Sequence, residues 1–142
     1  MKIILDTNVY NNKKFLIWLK DKENEIDSFI NSIIYLELGY LYKVRNKWRL
    51  FTDVLNEFGI IYISASKNIV EEAIKLALNF KDTPQGAAYF FRDCLIGAVA
   101  KSNKLKLITN NTEHFPYFSK NEIFTPQTFI DYFEKTSKSQ TK

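Results

Sequence analysis

The feature that most constrains the fold is a regular alternation of short apolar segments with longer segments whose apolar residues recur at helical spacing. The short segments have the length of strands, and we predict strands at residues 2–5, 26–30, 60–63, 105–109 and 123–124. Strands that alternate with helices favour a parallel sheet with helices on both faces. The sequence therefore predicts an α/β fold with a mainly parallel central sheet.

Capping residues set the boundaries of the predicted helices. We predict helices at residues 15–19, 31–44, 48–58, 66–78, 83–101 and 125–134. Asn31 or Ser32 caps the second of these helices, and Gly59 stops the third. Asp93 lies deep within the fifth. We therefore divide the chain into one domain, residues 1–134, and a basic tail, residues 135–142, which we expect to be disordered.

Length and composition restrict the class of protein. A chain of 142 residues suits one domain with a single sizeable core, and its 46% hydrophobic and 25% charged residues are typical of globular proteins. No segment approaches the ~20 consecutive apolar residues that cross a bilayer, and the N-terminal apolar run is too short for a signal peptide. The single Cys94 excludes an intramolecular disulfide. We therefore expect a cytoplasmic protein in which Cys94 is a buried apolar residue.

The net charge of +4 lies mostly in the tail, which carries three Lys and no acid, so the body has an excess of only one positive charge. Within the body, one basic run contains no acid: Lys43, Arg45, Lys47 and Arg49. Such a run is suited to contacts with phosphates, but cations near the C-terminus of a helix are also favoured by the helix dipole. Charge alone therefore does not establish that the protein binds nucleic acid.

Polar residues follow two of the predicted strands at the point where each strand ends. Asp6 comes directly after the first strand, and residues 109–111 (TNN) end a later one. In open α/β sheets, ligands bind in the crevice outside the carboxyl ends of the strands. The two polar segments are therefore predicted to lie close together, although an Asp after a strand is also common as a simple turn or helix cap.

Two further carboxylates interrupt apolar helical segments, Glu37 after Ile-Tyr-Leu and Asp93 before Cys-Leu-Ile. These positions are predicted to face inward. Burial of an isolated carboxylate costs several kcal/mol of folding free energy unless the group is paired or binds a metal. Two interpretations follow. Glu37 and Asp93 either bind a cation, or they form a buried ion pair with Arg92 or Arg45.

The ordered set of these motifs resembles PIN domains. It comprises residues 6–8 (DTN), Glu37 in SIIYLEL, Asp93 in DCLIGAVA and residues 109–111 in LITNNTEHF, and it extends from residue 3 to residue 115. The order and the spacing are similar to those of the family. The TNNT segment, the length of the chain and the TPQTF start of the last helix look most like VapC toxins, which belong to VapBC-type toxin–antitoxin pairs.

The resemblance implies a three-layer α/β/α sandwich with an acidic pocket that binds Mg²⁺ or Mn²⁺ and cleaves RNA. Asp6 and Asp93 would be the central metal ligands, and Glu37 would bind the metal directly or through water. These three residues are also the predicted catalytic residues. Asn111 would take the fourth position, where many PIN domains have an acid, so a second metal should bind weakly if at all. Glu113 is a candidate substitute whose simpler interpretation is a surface residue.

The resemblance also assigns supporting residues and partners. Asn8 and Thr109 would fix the carboxylates by hydrogen bonds. His114, the only histidine, is interpreted as a structural or exposed residue, with contact to RNA as the other interpretation. The implied partners are RNA as substrate, a cognate antitoxin protein and a second copy of the chain in a homodimer. Abundant aromatic residues are consistent with such a surface, although core packing explains many of them.

Three other functions are alternatives to a toxin ribonuclease. Phosphatases of the haloacid-dehalogenase type use an Asp after the first strand, but they have a second Asp two residues later, where this chain has Asn8. A PIN domain without activity would act as an RNA-binding or assembly module, and the retention of all three carboxylates argues against it. A housekeeping RNA-processing PIN nuclease is barely distinguished by sequence alone from a toxin.

Overall fold

A five-stranded sheet forms the centre of the protein in the computed structural model, which describes residues 1–141. The strands pair in the order β3-β2-β1-β4-β5, and every neighbouring pair is parallel. They are β1 (Lys2–Leu5), β2 (Asp27–Asn31), β3 (Ile61–Ile63), β4 (Lys106–Ile108) and β5 (Ile123–Phe124). The predicted parallel α/β sheet is confirmed, with strand boundaries within two residues of those predicted.

Six α-helices connect and cover the strands. They are α1 (Lys13–Asp21), α2 (Ser32–Val44), α3 (Trp48–Glu57), α4 (Lys67–Ala77), α5 (Phe91–Ser102) and α6 (Pro126–Gln140). A short 3₁₀ helix, Thr7–Asn11, follows β1 directly. Within residues 1–141, no helix has the length and apolar character needed to cross a membrane.

The two faces of the sheet support separate hydrophobic clusters, which makes the molecule a three-layer α/β/α sandwich. Successive side chains of a strand point to opposite faces. In β1, Ile3 and Leu5 pack against α1 and α6, whereas Ile4 packs against α2, α3 and α5. A third cluster joins α4 to α5. Burial on both faces explains why β1 reads as a continuous apolar run rather than as an alternating one.

Local capping explains where several helices begin and end. The side chain of Asn31, rather than that of Ser32, caps α2 by accepting a hydrogen bond from the Ile34 amide at 3.1 Å. The chain turns after α3 at Gly59, whose φ of 60° lies in the left-handed region that glycine tolerates. Thr125 caps α6 in a reciprocal arrangement with Thr128.

The predicted helix at residues 83–101 is wrong in its first half. Gly86 has a φ of 77°, which breaks any helix that starts at Pro84, and only a 3₁₀ turn, Ala87–Phe90, precedes α5. Asp93 consequently lies in the first turn of α5 rather than deep within a helix. This difference matters for function, because the first turn of α5 faces the carboxyl edge of the sheet.

The prediction of a disordered tail from residue 135 is also wrong, because α6 continues to Gln140. The hydroxyl groups of Thr136 and Ser139 donate hydrogen bonds to the carbonyl groups of Tyr132 and Lys135, one helical turn back, and so do not disrupt the helix. Extending a capped helix costs far less than starting one, and the dipole favours Lys138 in the last turn. A basic composition therefore did not prevent the helix from continuing.

Candidate active site

Two of the predicted site residues lie on adjacent strand ends. Asp6 follows β1 and Thr109 follows β4, and these strands pair with Leu5 opposite Ile108. The Asp6 amide also donates a hydrogen bond to the Ile108 carbonyl at 2.9 Å. Both side chains are buried. The pairing of β1 with β4 thus brings together residues that are separated by more than a hundred positions in the chain.

Glu37 and Asp93 reach the same edge of the sheet from two helices. Glu37 lies in the second turn of α2, whose start follows the carboxyl end of β2, and Asp93 lies in the first turn of α5. Asp93 is buried, whereas Glu37 is half-buried. Three elements that are distant in sequence therefore bring three carboxylates to one pocket, which is the convergence that the sequence predicted.

The guanidinium group of Arg92 lies between the three carboxylates and contacts all of them. Its Nε donates to both Glu37 carboxylate oxygens at 2.8 Å. One terminal nitrogen donates to Asp93 Oδ1 at 2.7 Å, and the other donates to Asp6 Oδ1 at 2.7 Å. Arg92 was one of two arginines considered as an ion-pair partner for Glu37 and Asp93; Arg45 forms no ion pair within the described chain.

Two threonines also hold Asp6 and Glu37, in part at the same oxygens that Arg92 contacts. Thr109 donates its hydroxyl hydrogen to Asp6 Oδ2 at 2.8 Å, and the Thr7 amide donates to Asp6 Oδ1 at 2.7 Å. The Thr7 hydroxyl donates to Glu37 Oε1 at 2.9 Å. These bonds fix the orientation of Asp6 and Glu37 without removing their charge, so the pocket is preorganised for a cation.

The balance of charge in the pocket is negative, since three carboxylates face one guanidinium. Burial raises the pKa of Asp93 above its ordinary value, and the charge and hydrogen bond of Arg92 only partly offset this rise. Burial lowers the pKa of Arg92, but hydrogen bonds and charges from Glu37 and Asp6 outweigh it and raise the pKa overall. Arg92 is therefore a permanent cation in this pocket.

Arg92 and Asp93 line a cavity of about 450 Å³, which is surrounded by residues from four segments of the chain. Asn111, which the sequence analysis assigns to the fourth position of the site, lines this cavity. Asn8 also lines it, but its side chain accepts a hydrogen bond from the Asn110 amide at 3.3 Å and so holds the neighbouring loop rather than a carboxylate. Glu113 is largely exposed.

Cys94 follows the site in sequence but does not belong to it. The residue is buried, and burial together with the charge of Asp93 raises the pKa of its thiol to about 11. The thiol therefore stays protonated at neutral pH, which makes it a poor nucleophile and a poor metal ligand. Its role is packing between α4 and α5, as expected from the sequence.

Comparison with known proteins decides the family. The family model described as PIN domain matches residues 3–120, which is most of the chain. The chain belongs to the PIN-domain family. No curated protein matches this PIN domain.

Several solved structures share this fold at about 20% sequence identity. The PIN domain is 21% identical to a chain of a toxin–antitoxin complex from Klebsiella pneumoniae, with a TM-score of 0.61 and coverage of 87% of this chain and 97% of that chain. It is 20% identical to a chain of VapBC2 from Rickettsia felis bound to a promoter DNA fragment, with a TM-score of 0.66 and coverage of 88% and 98%. A chain of FitAB bound to an IR36 DNA fragment is 19% identical, with a TM-score of 0.61 and coverage of 89% and 95%. These likenesses confirm the fold.

PIN nucleases typically use divalent metal ions, so the oxygen, nitrogen and sulfur donors at this pocket decide whether such an ion fits. The side chains at the pocket offer oxygen atoms, which Mg²⁺ and Mn²⁺ prefer. The cation that lies among the carboxylates in this structure is the guanidinium group of Arg92. Within residues 1–141, no three acidic, histidine or cysteine side chains are grouped closely enough to hold a metal by themselves. The donors therefore fit a divalent cation in kind, while Arg92 lies between them.

Sequence reasoning missed two contributors to the pocket of this PIN domain. Thr7 contacts both Asp6 and Glu37, but the sequence analysis assigned no role to it within the motif of residues 6–8. His114 was interpreted as structural or exposed, yet its Nδ1 lies 3.2 Å from Asp93 Oδ2. The spacing of three residues between Asn111 and His114 was the only sequence signal, because one 3₁₀ turn brings His114 back toward the pocket.

Proposed function

We propose that this PIN domain is a metal-dependent endoribonuclease, and that it is the toxin of a VapBC-like toxin–antitoxin pair acting in the cytoplasm. The observation that supports the proposal most is the meeting of Asp6, Glu37 and Asp93 around one cation. Three carboxylates that converge from β1, α2 and α5 would repel one another, and a fold that keeps them together for stability alone would be costly.

In the proposed site, Asp6 and Asp93 bind Mg²⁺ or Mn²⁺ directly, Glu37 binds it directly or through water, and Asn111 offers a neutral oxygen at the edge. A divalent cation bound there supplies a polarised phosphate and a water of lowered pKa. Asn111 in place of an acid limits the negative charge, so we propose that one metal ion binds well and a second binds weakly.

The remaining residues of the pocket orient these groups. Thr109 and the Thr7 amide hold Asp6 in one rotamer through both of its oxygens. The Thr7 hydroxyl and Arg92 hold Glu37. With its carboxylate fixed in this way, Glu37 is the residue best suited to orient the attacking water, because it is the least buried of the three acids.

The proposed substrate is single-stranded RNA in an extended or looped form. The cavity of about 450 Å³ has room for a phosphate with its sugar, and the exposed ring of Tyr89 at its rim offers a face on which a base can stack. Lys43, Arg45 and Arg49 form no ion pair within the described chain, so they are available to RNA phosphates.

The proposed protein partners are a cognate antitoxin and a second copy of the chain. The similar structures include a toxin–antitoxin complex from Klebsiella pneumoniae, as well as VapBC2 and FitAB bound to DNA fragments. The chain also exposes apolar side chains in two areas, along α2 (Leu36, Tyr40 and Val44) and in a groove between α4 and α5 (Val70, Ile74 and Phe91). Exposed apolar area of this extent is typical of protein interfaces.

Cleavage of RNA tests the enzymatic part of the proposal. The wild type should cut RNA with Mg²⁺ or Mn²⁺ and stop when EDTA is added, and Asp6→Asn and Asp93→Asn should each lower the rate by at least about a hundredfold. Asp53→Asn is the matched control, because Asp53 is exposed and distant in sequence from the motifs. Full activity of Asp93→Asn would contradict the assignment.

A second function is favoured by one observation: Arg92 already satisfies the carboxylates without a metal. A PIN domain without activity, serving as an RNA-binding or assembly module, would retain these ion pairs between Arg92 and the carboxylates. Such a module would show no metal-dependent cleavage of any RNA, while RNA binding would survive both substitutions. A housekeeping nuclease, by contrast, would cleave RNA without being inhibited by the product of a neighbouring small gene.

A further inference from the structure

Arg92 occupies the position between the carboxylates that a divalent cation would need. Its five hydrogen-bonding contacts reach Asp6, Thr7, Glu37 twice and Asp93, all at 2.7 to 2.9 Å. A guanidinium and a metal ion cannot both fill this space, because each would take the same oxygens and their positive charges would repel. Metal binding therefore has to change the position of Arg92.

We propose that Arg92 is a built-in cation of the acidic pocket, and that its guanidinium leaves the carboxylates whenever a divalent cation binds. This inference rests on the proposed metal site. Arg92 would then keep the metal-free protein folded and inactive, and it would set the concentration of metal at which the pocket changes its cation. No other residue of the described chain contacts all three carboxylates.

Burial decides which partner moves. The side chains of Asp6 and Asp93 are only 2% and 8% exposed, whereas that of Arg92 is 32% exposed and lines the open cavity. Arg92 can therefore rotate into water through the cavity. The carboxylates cannot follow it, because Asp6 is fixed by Thr109 and by the Thr7 amide.

The oxygens that Arg92 contacts are those that its departure would free. Asp93 Oδ1 has Arg92 as its hydrogen-bond donor, whereas Oδ2 faces His114. Asp6 Oδ1 would retain the Thr7 amide, and Oδ2 would retain Thr109. Departure of one side chain thus removes the donor from Asp93 Oδ1 and one of the two donors from Asp6 Oδ1, while the Thr7 and Thr109 bonds that orient Asp6 stay in place.

Removing the resident cation should strengthen metal binding. Arg92 gives up several charge-assisted hydrogen bonds when the metal binds, so the exchange opposes metal binding by at least about tenfold, which is about 1.4 kcal/mol. Arg92→Gln should therefore bind Mn²⁺ at least about tenfold more tightly than the wild type in calorimetric titration. Lys81→Gln is the matched control, since Lys81 is an exposed cation outside the pocket; the Mn²⁺ affinity of this variant should equal that of the wild type.

Nuclear magnetic resonance of the wild type tests the movement directly and does not depend on a variant that folds. In EDTA, the Arg92 Nε–H signal should differ from those of the exposed Arg45 and Arg49, because it donates to Glu37. As Mg²⁺ is added, this signal should move to the region of the other two. The Arg45 and Arg49 signals serve as internal controls.

The outcomes separate failure of this inference from failure of the metal site. If Mg²⁺ shifts the backbone amides of Asp93 and Asn111 but leaves the Arg92 Nε–H signal unchanged, the metal site exists and the exchange is refuted. If Mg²⁺ shifts no signal from the pocket and Arg92→Gln binds no Mn²⁺, both ideas fail. Equal or weaker Mn²⁺ affinity of Arg92→Gln beside a binding wild type also refutes the exchange.

Discussion

Thr109→Val tests how strongly the fold holds Asp6 at the carboxyl edge of the sheet. Valine has nearly the shape of threonine, so the substitution removes a hydroxyl group without creating a cavity. Thr109 is fully buried, and its hydroxyl both donates to Asp6 Oδ2 at 2.8 Å and accepts from the Asn111 amide at 3.1 Å. The change therefore leaves two polar groups without their partner.

The expected loss of stability follows from these two bonds. A hydrogen bond to a buried charged group contributes about 1.5 to 3 kcal/mol, and one to a neutral amide about 1 kcal/mol. Thr109→Val should lower the free energy of unfolding by about 3 kcal/mol and the melting temperature by about 10 °C for a chain of this size. Thr109→Ser keeps the hydroxyl and loses one methyl group, which should cost about 1 kcal/mol.

Thermal and urea unfolding of the three proteins, followed by circular dichroism in EDTA, measures these differences. A double-mutant cycle with Asp6→Ala isolates the hydroxyl–carboxylate bond, since Thr109→Val should cost roughly 1.5 kcal/mol less when Asp6 is already absent. The reasoning is refuted if Thr109→Val is as stable as Thr109→Ser, or if its cost is the same with and without the Asp6 carboxylate.

Three further predictions concern the elements that position the site. Gly97→Ala should destabilise by about 1 to 3 kcal/mol despite better helix propensity, because the new Cβ would lie 2.5 Å from the Tyr117 hydroxyl; an unchanged unfolding midpoint would contradict this. Asn31→Ala should cost about 1 to 2 kcal/mol through loss of the α2 cap, and Asn31→Ser, which can still cap, should cost less in the same denaturation assay. Burial raises the folded-state pKa of Asp93, so its favourable contribution is present below the unfolded-state pKa and is lost as pH rises through the folded-state value. In EDTA at pH 7, Asp93→Asn should therefore melt no lower than the wild type, and any gain in melting temperature should shrink toward pH 4; a clear drop at pH 7 would reverse the sign.

The sequence was sufficient for the order of elements and for the identity of the carboxylates. Apolar runs such as residues 2–5 have few alternatives to a buried strand. Parallel strands need a crossover connection of a dozen or more residues, and the helices between these strands supply it, so the alternation favours parallel pairing. Asp6 stood out because it directly follows a buried strand, and Glu37 and Asp93 stood out because each interrupts an apolar helical segment in which a lone charge is costly. These inferences use only neighbours along the chain, which is why they succeeded.

The sequence-based predictions were wrong or incomplete where the structure depends on local backbone conformation, on how far a helix continues, or on contacts between distant parts of the chain. The start of α5 depends on the left-handed conformation at Gly86, which a helical pattern around Pro84 does not reveal. The length of α6 depends on how far a capped helix continues, and a basic composition gives no measure of that. His114 was undervalued because its approach to Asp93 depends on a single 3₁₀ turn.

What the sequence determined by itself is the set of chemical groups and the strand ends or helix turns that carry them. Only the tertiary structure decided that Arg92, rather than Arg45, lies among all three carboxylates, and that Thr7 and Thr109 hold them. Sequence spacing gives the direction of a side chain relative to its own helix or strand. Which charge meets which carboxylate depends on how β1, β4, α2 and α5 pack, because electrostatic pairing acts over a few ångströms in space and not along the chain.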